Sequence, residues 1–131
     1  MYLIRDGFWG DVQKYALGSY DILFATNVLH ATRDMETTIQ NCKALLRKGG
    51  LLIANELTTK TEFLTLTFGL TDGWWLHDDS VLRIPGSPML SRQALEPTAL
   101  HTDSSLHGHA LSWQGMPGAS NAQFCLLIYP M

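Results

Sequence analysis

The fold is narrowed most by two short apolar runs that flank a segment with helical spacing. "YDILFAT" (residues 20–26) and "LLIANE" (residues 51–56) have consecutive apolar residues without alternation, the pattern of strands buried on both faces of a sheet. The segment between them is long enough for a helical crossover, which makes the two strands parallel. Because strand–helix–strand units build open α/β sheets, we predict an α/β fold.

The intervening segment has the signals of an amphipathic helix. Thr32 is placed to cap its N-terminus, and Asp34 and Glu36 fall in its first turn, where the helix dipole favours negative charge. Gly49-Gly50 predicts its end. Its apolar positions recur at helical spacing: Met35, Ile39, Cys42, Leu45 and Leu46.

The rest of the chain predicts one further helix and less regular segments. A second apolar stripe indicates a helix that runs into "DGWW" (residues 72–75), through Phe63, Leu66, Leu70 and Trp74. Residues 78–91 form a loop punctuated by proline and glycine. Beyond it we predict a short helix interrupted by Pro97, a polar loop, a strand over 109–114 and a terminal strand over 122–130.

Composition excludes several classes of partner. The chain has 131 residues, the size of one domain, and is 46% hydrophobic with a net charge of −3, which favours a globular core over disorder. Nine Lys and Arg face twelve Asp and Glu without a dense basic patch, so we expect neither nucleic acid nor a membrane surface as partner. A small-molecule or acyl partner is favoured.

The lack of a recognisable signal peptide or membrane span, together with the cysteine usage, predicts a cytoplasmic protein. Arg5 and Asp6 stand where a signal peptide needs its apolar segment, and no run approaches the roughly 20 apolar residues of a membrane span. Cys42 and Cys125 lie far apart in the sequence, so reduced thiols are favoured over a disulfide.

A histidine and a glutamate follow the two predicted parallel strands at the same sheet edge. His30 lies just past the first strand and Glu56 closes the second. Ligands of open parallel sheets bind outside the carboxyl ends of the strands, and neighbouring strands lie about 4.8 Å apart, so these side chains can meet. A carboxylate bonded to one imidazole nitrogen leaves the other nitrogen as a base. The alternatives are a histidine bonded to nearby backbone and a solvated glutamate.

Other candidate sites are weaker. His101, His107 and His109 lack a carboxylate or cysteine at ligand spacing, and His77 with "DD" (residues 78–79) is better explained as a solvated turn, so no metal is predicted. Trp74 and Trp75 either line an acyl pocket or fill the core. A glycine-rich cofactor loop does not precede the strand–helix–strand unit in this sequence.

Four stretches, "SYDILFATNVLHAT", "LLRKGGLLIANELT", "FLTLTFGLTDGWW" and "LRIPGSPMLS", closely resemble the second half of the C-methyltransferase domain of modular polyketide synthases. "LLRKGG" is similar to a helix ending shared by many S-adenosylmethionine-dependent methyltransferases, with Lys48 in place of the usual proline. The resemblance covers residues 19–91, whereas 1–18 and 92–114 are atypical. The chain is therefore interpreted as a single, partial methyltransferase domain over 1–131.

The resemblance implies a partial, Rossmann-like class I methyltransferase sheet. It would be mostly parallel, with 20–26 and 51–56 similar to the fourth and fifth strands and 122–129 as an antiparallel strand at the edge. Its implied cofactor is S-adenosylmethionine, and its implied substrate is a β-ketoacyl thioester on an acyl carrier protein. His30 would be the base that removes the α-proton, and Glu56 its orienting partner.

Three further residues receive roles from the same resemblance. Asn27 would lie near the cofactor, while Trp74 and Trp75 would belong to a substrate-side lid. The family's glycine-rich motif and ribose-binding acidic residue are expected upstream of residue 20, so the resemblance also implies a partner that supplies the N-terminal part of the domain. The alternatives are a catalytically silent remnant with a structural or docking role, and an O- or N-methyltransferase, which the His–Glu pair disfavours.

Overall fold

The computed structural model describes residues 15–91, 93–95, 109–114 and 123–130. The chain forms β1 (Tyr20–Thr26), α1 (Met35–Leu45), β2 (Leu46–Leu57), α2 (Glu62–Phe68), β3 (His109–Gln114) and β4 (Gln123–Pro130). Single 3₁₀ turns cover Leu29–Ala31, Asp72–Trp75 and Ser80–Leu82. None of the helices in these ranges has the length and apolar character needed to cross a bilayer.

The four strands form one sheet in the order β1-β2-β4-β3. β1 and β2 are parallel, whereas β4 pairs antiparallel with both β2 and β3. The prediction of a mostly parallel sheet is therefore wrong for the described residues, because they contain a single crossover unit and two antiparallel pairings. The expected edge position of the last strand is also wrong, since β4 lies between β2 and β3.

The crossover helix packs on one face of β1 and β2 and forms the main core. Buried apolar side chains from these three elements meet there, among them Ala25, Met35, Ile39, Cys42, Leu52 and Ala54. Phe24 is 63% exposed and Ile22 57% exposed on the strand β1. The prediction that β1 is buried on both faces is thus wrong here, because apolar runs report what a strand can bury and not what is present to cover it.

Helix α1 starts and ends at other residues than predicted. Asp34 caps it through a 2.7 Å bond from the Thr37 backbone N–H. Thr32 instead donates its hydroxyl to the Leu29 carbonyl at 2.7 Å, which closes the preceding 3₁₀ turn. The helix ends at Leu45, and β2 begins at the next residue. The register of the β1–β2 pair shifts between Tyr20 and Ile22. Gly49, in the first half of β2, has a positive φ of 76°.

The second predicted helix is shorter than its apolar stripe. α2 ends at Phe68, and a separate 3₁₀ turn presents Trp74 to a smaller core with Leu57 and Met89. Phe63, Leu66 and Leu70 remain exposed. The stripe therefore reflects two elements, of which only the second contributes a buried residue.

Candidate active site

His30 and Glu56 meet at the carboxyl ends of β1 and β2. His30 lies in the 3₁₀ turn after β1, and Glu56 is the penultimate residue of β2. The imidazole Nδ1 is 2.7 Å from the Glu56 Oε2, and both side chains are buried. The structure thus brings the two residues together as the strand order predicts. The alternative of a solvated Glu56 is wrong, since this residue is 0% exposed.

Glu56 also accepts hydrogen bonds from the backbone of the turn that carries the histidine. Its Oε1 accepts hydrogen bonds from the backbone N–H groups of Val28 and Leu29, both at 2.9 Å, and its Oε2 accepts a longer bond of 3.4 Å from that of His30. An acceptor-only carboxylate matches these backbone donors, and towards such a carboxylate the imidazole would present Nδ1–H. Nε2 is then the nitrogen with a free lone pair, as a general base requires.

Asn27 joins the ends of the two strands. Its φ of 49° is the left-handed conformation that asparagine tolerates better than most residues. Its Oδ1 accepts a 3.1 Å bond from the Leu57 N–H, and its own N–H donates to the Asn55 carbonyl at 2.8 Å. Asn27 therefore redirects the chain out of β1 and toward the histidine, and part of its side chain is already engaged by backbone.

The two tryptophans occupy different positions. Trp74 is buried and meets His30 edge-on, with ring centroids 6.2 Å apart and an interplanar angle of 72°. It also stacks on Phe68 at 5.8 Å, and its buried indole N–H has no hydrogen-bond partner within the described part of the chain. Trp75 is 47% exposed and donates its indole N–H to the Gly69 carbonyl at 2.9 Å. Of the two tryptophans, Trp74 is therefore the one that meets the histidine ring.

The acidic residues after His77 do not act as a solvated pair. Asp78 forms an exposed ion pair with Arg33, whereas Asp79 is buried and pairs with Arg83. The interpretation of this segment as a solvated turn is therefore wrong for Asp79. The sequence prediction missed Arg83, and the i, i+4 spacing of Asp79 and Arg83 was the signal available. His101 and His107 lie outside the described residues.

The methyltransferase-domain family model matches residues 7–54. The polyketide synthase ThaQ of Burkholderia thailandensis is 52% identical over 83 residues, which is 63% of this chain and 4% of ThaQ. The crystal structure of the DszA carbon methyltransferase superposes with a TM-score of 0.73 and 32% identity over 92% of this chain and 31% of that chain. The CMeT domain of the citrinin polyketide synthase gives a TM-score of 0.70 and 28% identity over 87% of this chain and 28% of that domain's chain.

The superpositions show that the chain shares part of the fold of solved carbon methyltransferases, and His30 lies after β1, where that parallel strand ends. Its relatives include polyketide synthases, and its structural neighbours include carbon methyltransferases. The resemblance that the sequence predicted is confirmed. The chain spans about a third of the length of those solved carbon methyltransferases and a few per cent of the synthases.

Proposed function

We propose that this chain is part of an S-adenosylmethionine-dependent C-methyltransferase that methylates the α-carbon of a β-ketoacyl thioester on an acyl carrier protein. The observation that carries the proposal is the buried His30–Glu56 pair, with Nδ1 bound to the carboxylate. A proton between two carbonyl groups is acidic enough for a neutral imidazole to remove.

This geometry supports a chemical role for each residue of the pair. His30 Nε2 takes the α-proton, which leaves an enolate, and the Glu56 carboxylate stabilises the imidazolium that forms. The bound cofactor would supply an electrophilic methyl group on a positively charged sulfur for the α-carbon. Trp74 would lie on the substrate side of the pair, because its ring contacts His30 and its indole N–H, which has no partner among the described residues, can donate to a substrate carbonyl.

The described residues fit one side of a cofactor site. Asn27 sits at the strand end where the resemblance expects cofactor, and the buried Oδ1 of Asn55 has no hydrogen-bond partner within the described ranges. An orphaned acceptor at the end of a parallel strand suits an amino or hydroxyl donor of the cofactor. Asn27 and Asn55 are therefore the residues we propose to contact S-adenosylmethionine.

The remaining two thirds of a methyltransferase domain is the partner we propose for the edge strand β1. Ile22 and Phe24 leave an exposed apolar surface on this strand, and the solved carbon methyltransferases are about three times as long as the aligned part. Apolar side chains on an unpaired strand are suited to cover by further sheet and helices. Such a partner would also contribute the rest of the cofactor site.

The test is methyl transfer to an acetoacetyl-loaded acyl carrier protein, followed by intact-mass spectrometry. The chain is assayed alone and as a chimaera with the preceding part of the DszA carbon methyltransferase. We expect the chimaera to add one methyl group to the acyl chain and His30→Ala to abolish the addition, with the exposed Glu36→Gln as control. Full activity of the His30→Ala chimaera would overturn the assignment of the base.

A catalytically silent remnant with a docking role is the second candidate, and the exposed face of β1 is the observation that favours it. Calorimetric titration with S-adenosylmethionine separates the two. Heat of binding by the chain or the chimaera supports the enzyme. If neither binds while the chimaera is folded, the remnant is favoured.

A further inference from the structure

Arg83 is a buried arginine whose five N–H groups all have acceptors. Nε and Nη2 donate to the two carboxylate oxygens of Asp79 at 2.6 and 2.8 Å, as a bidentate pair. Nη1 donates to the backbone carbonyls of His30 and Pro88, both at 2.7 Å, and Nη2 also donates to that of Thr32 at 3.0 Å. The guanidinium therefore joins the 78–91 loop to the turn that carries the histidine.

The turn that carries His30 is hydrogen-bonded through both its backbone N–H groups and its backbone carbonyl groups. Glu56 accepts from the N–H groups of residues 28–30, and Arg83 donates to the carbonyl groups of His30 and Thr32. Asp79 adds a third attachment, because its Oδ2 also accepts from the Met35 N–H at the start of α1 at 2.9 Å. The backbone on both sides of His30 thus has little freedom to rotate the imidazole away from Glu56.

We propose that Arg83, locked by Asp79, is a positioning residue for His30: it fixes the turn so that Nδ1 stays on Glu56 and Nε2 stays available as base. This inference rests on the proposed function of His30. Lysine cannot replace the arginine, because it has three donors on one atom and lacks the planar fork that reaches two carbonyl-bearing segments and a carboxylate at once.

The variant Arg83→Lys tests the proposal, with Arg33→Lys as matched control. Arg33 pairs with Asp78, the neighbour of Asp79, but both side chains of that pair are more than half exposed. The first readout is the tautomer of His30, from nitrogen chemical shifts of the labelled full chain at about pH 8. We expect Nδ1–H in the wild type and in Arg33→Lys, and a mixture of tautomers in Arg83→Lys.

The second readout is catalysis by the chimaera described above. We expect Arg83→Lys to lower kcat roughly tenfold to hundredfold, because His30 is displaced from its catalytic position. KM should change little, because the residues that bind the substrate are unchanged. If Arg83→Lys does not fold, Asp79→Asn replaces it, because it keeps the arginine and removes the charge that locks it. The same tautomer shift is expected there.

The outcomes separate this inference from the proposed function. A folded Arg83→Lys or Asp79→Asn chain with the wild-type His30 tautomer overturns the positioning role, whatever the activity. Absence of methyl transfer in the wild-type chimaera, together with the expected tautomer shift, instead contradicts the catalytic role of His30 and leaves the positioning role supported.

Discussion

The Nδ1 of His30 and the Oε2 of Glu56 lie 2.7 Å apart in the interior, at the adjacent ends of two parallel strands. The same carboxylate accepts three backbone N–H groups from the turn that holds the histidine. Glu56 therefore orients the imidazole in two ways, by its bond to the ring and by its bonds to the backbone of the turn that carries His30. Loss of the carboxylate should affect stability and activity together.

Glu56→Gln should destabilise the chain by about 1–3 kcal/mol, because the amide NH₂ faces donors where the second carboxylate oxygen accepted. Urea unfolding measures this loss, and Glu62→Gln, an exposed change on α2, should be neutral within about 0.5 kcal/mol. In the chimaera, kcat should fall at least tenfold. Equal kcat in the two variants would contradict the orienting role.

The buried Asp79–Arg83 pair should be costly to break, and its two members should be energetically coupled. Arg83→Met leaves the Asp79 carboxylate buried without its partner, so we expect a loss of about 3–5 kcal/mol of unfolding free energy. The double variant with Asp79→Asn should cost less than the sum of the two single changes. Arg33→Met, in the exposed pair with Asp78, should cost about 0–1 kcal/mol. Additive single changes at Asp79 and Arg83 would show that the pair is not coupled.

The N-cap of α1 should make stability depend on pH. Hydrogen bonds from the side chain and backbone of Thr37 lower the pKa of Asp34, and the charge of Arg83 adds to the effect. The unfolded chain therefore binds this proton more readily, so the stabilisation is complete above about pH 4 and is lost as the pH falls through the lower pKa of the folded state.

Asp34→Ala should cost about 0.5–2 kcal/mol at neutral pH, whereas Asp34→Asn keeps the cap and serves as control. Thermal unfolding between about pH 2 and pH 7 should show a weaker acid dependence in both variants than in the wild type. An unchanged dependence would mean that Asp34 does not titrate with folding.

Cys42 should be chemically inert in the folded chain. Burial raises the pKa of its thiol to about 12, and only the thiolate reacts with alkylating agents. We expect iodoacetamide at about pH 8 to modify Cys42 only after urea unfolding, as followed by peptide mass mapping. Because the folded pKa is raised, stability should also decline as the pH rises above about 8.5, where the unfolded thiol ionises. Rapid modification of the native chain would contradict this burial.

The amino-acid sequence by itself determined the strand–helix–strand unit and the meeting of His30 with Glu56. Both follow from local patterns, since apolar runs and a helical crossover make the strands parallel, and parallel neighbours end at the same sheet edge. The family motifs extended this reading to a methyltransferase fold, which the structural neighbours share.

Only the tertiary structure decided the cap, the exposure of β1 and the role of Arg83. Asp34 caps α1 because Thr32 is occupied by the preceding turn, and Phe24 is exposed because nothing in the described chain covers that face of β1. Arg83 lies 53 residues beyond His30 in the sequence, and their contact depends on the path of the 78–91 loop. A long-range hydrogen bond leaves no periodic signal in a sequence, because periodicity records which face of a local element is buried and not which distant segment covers it.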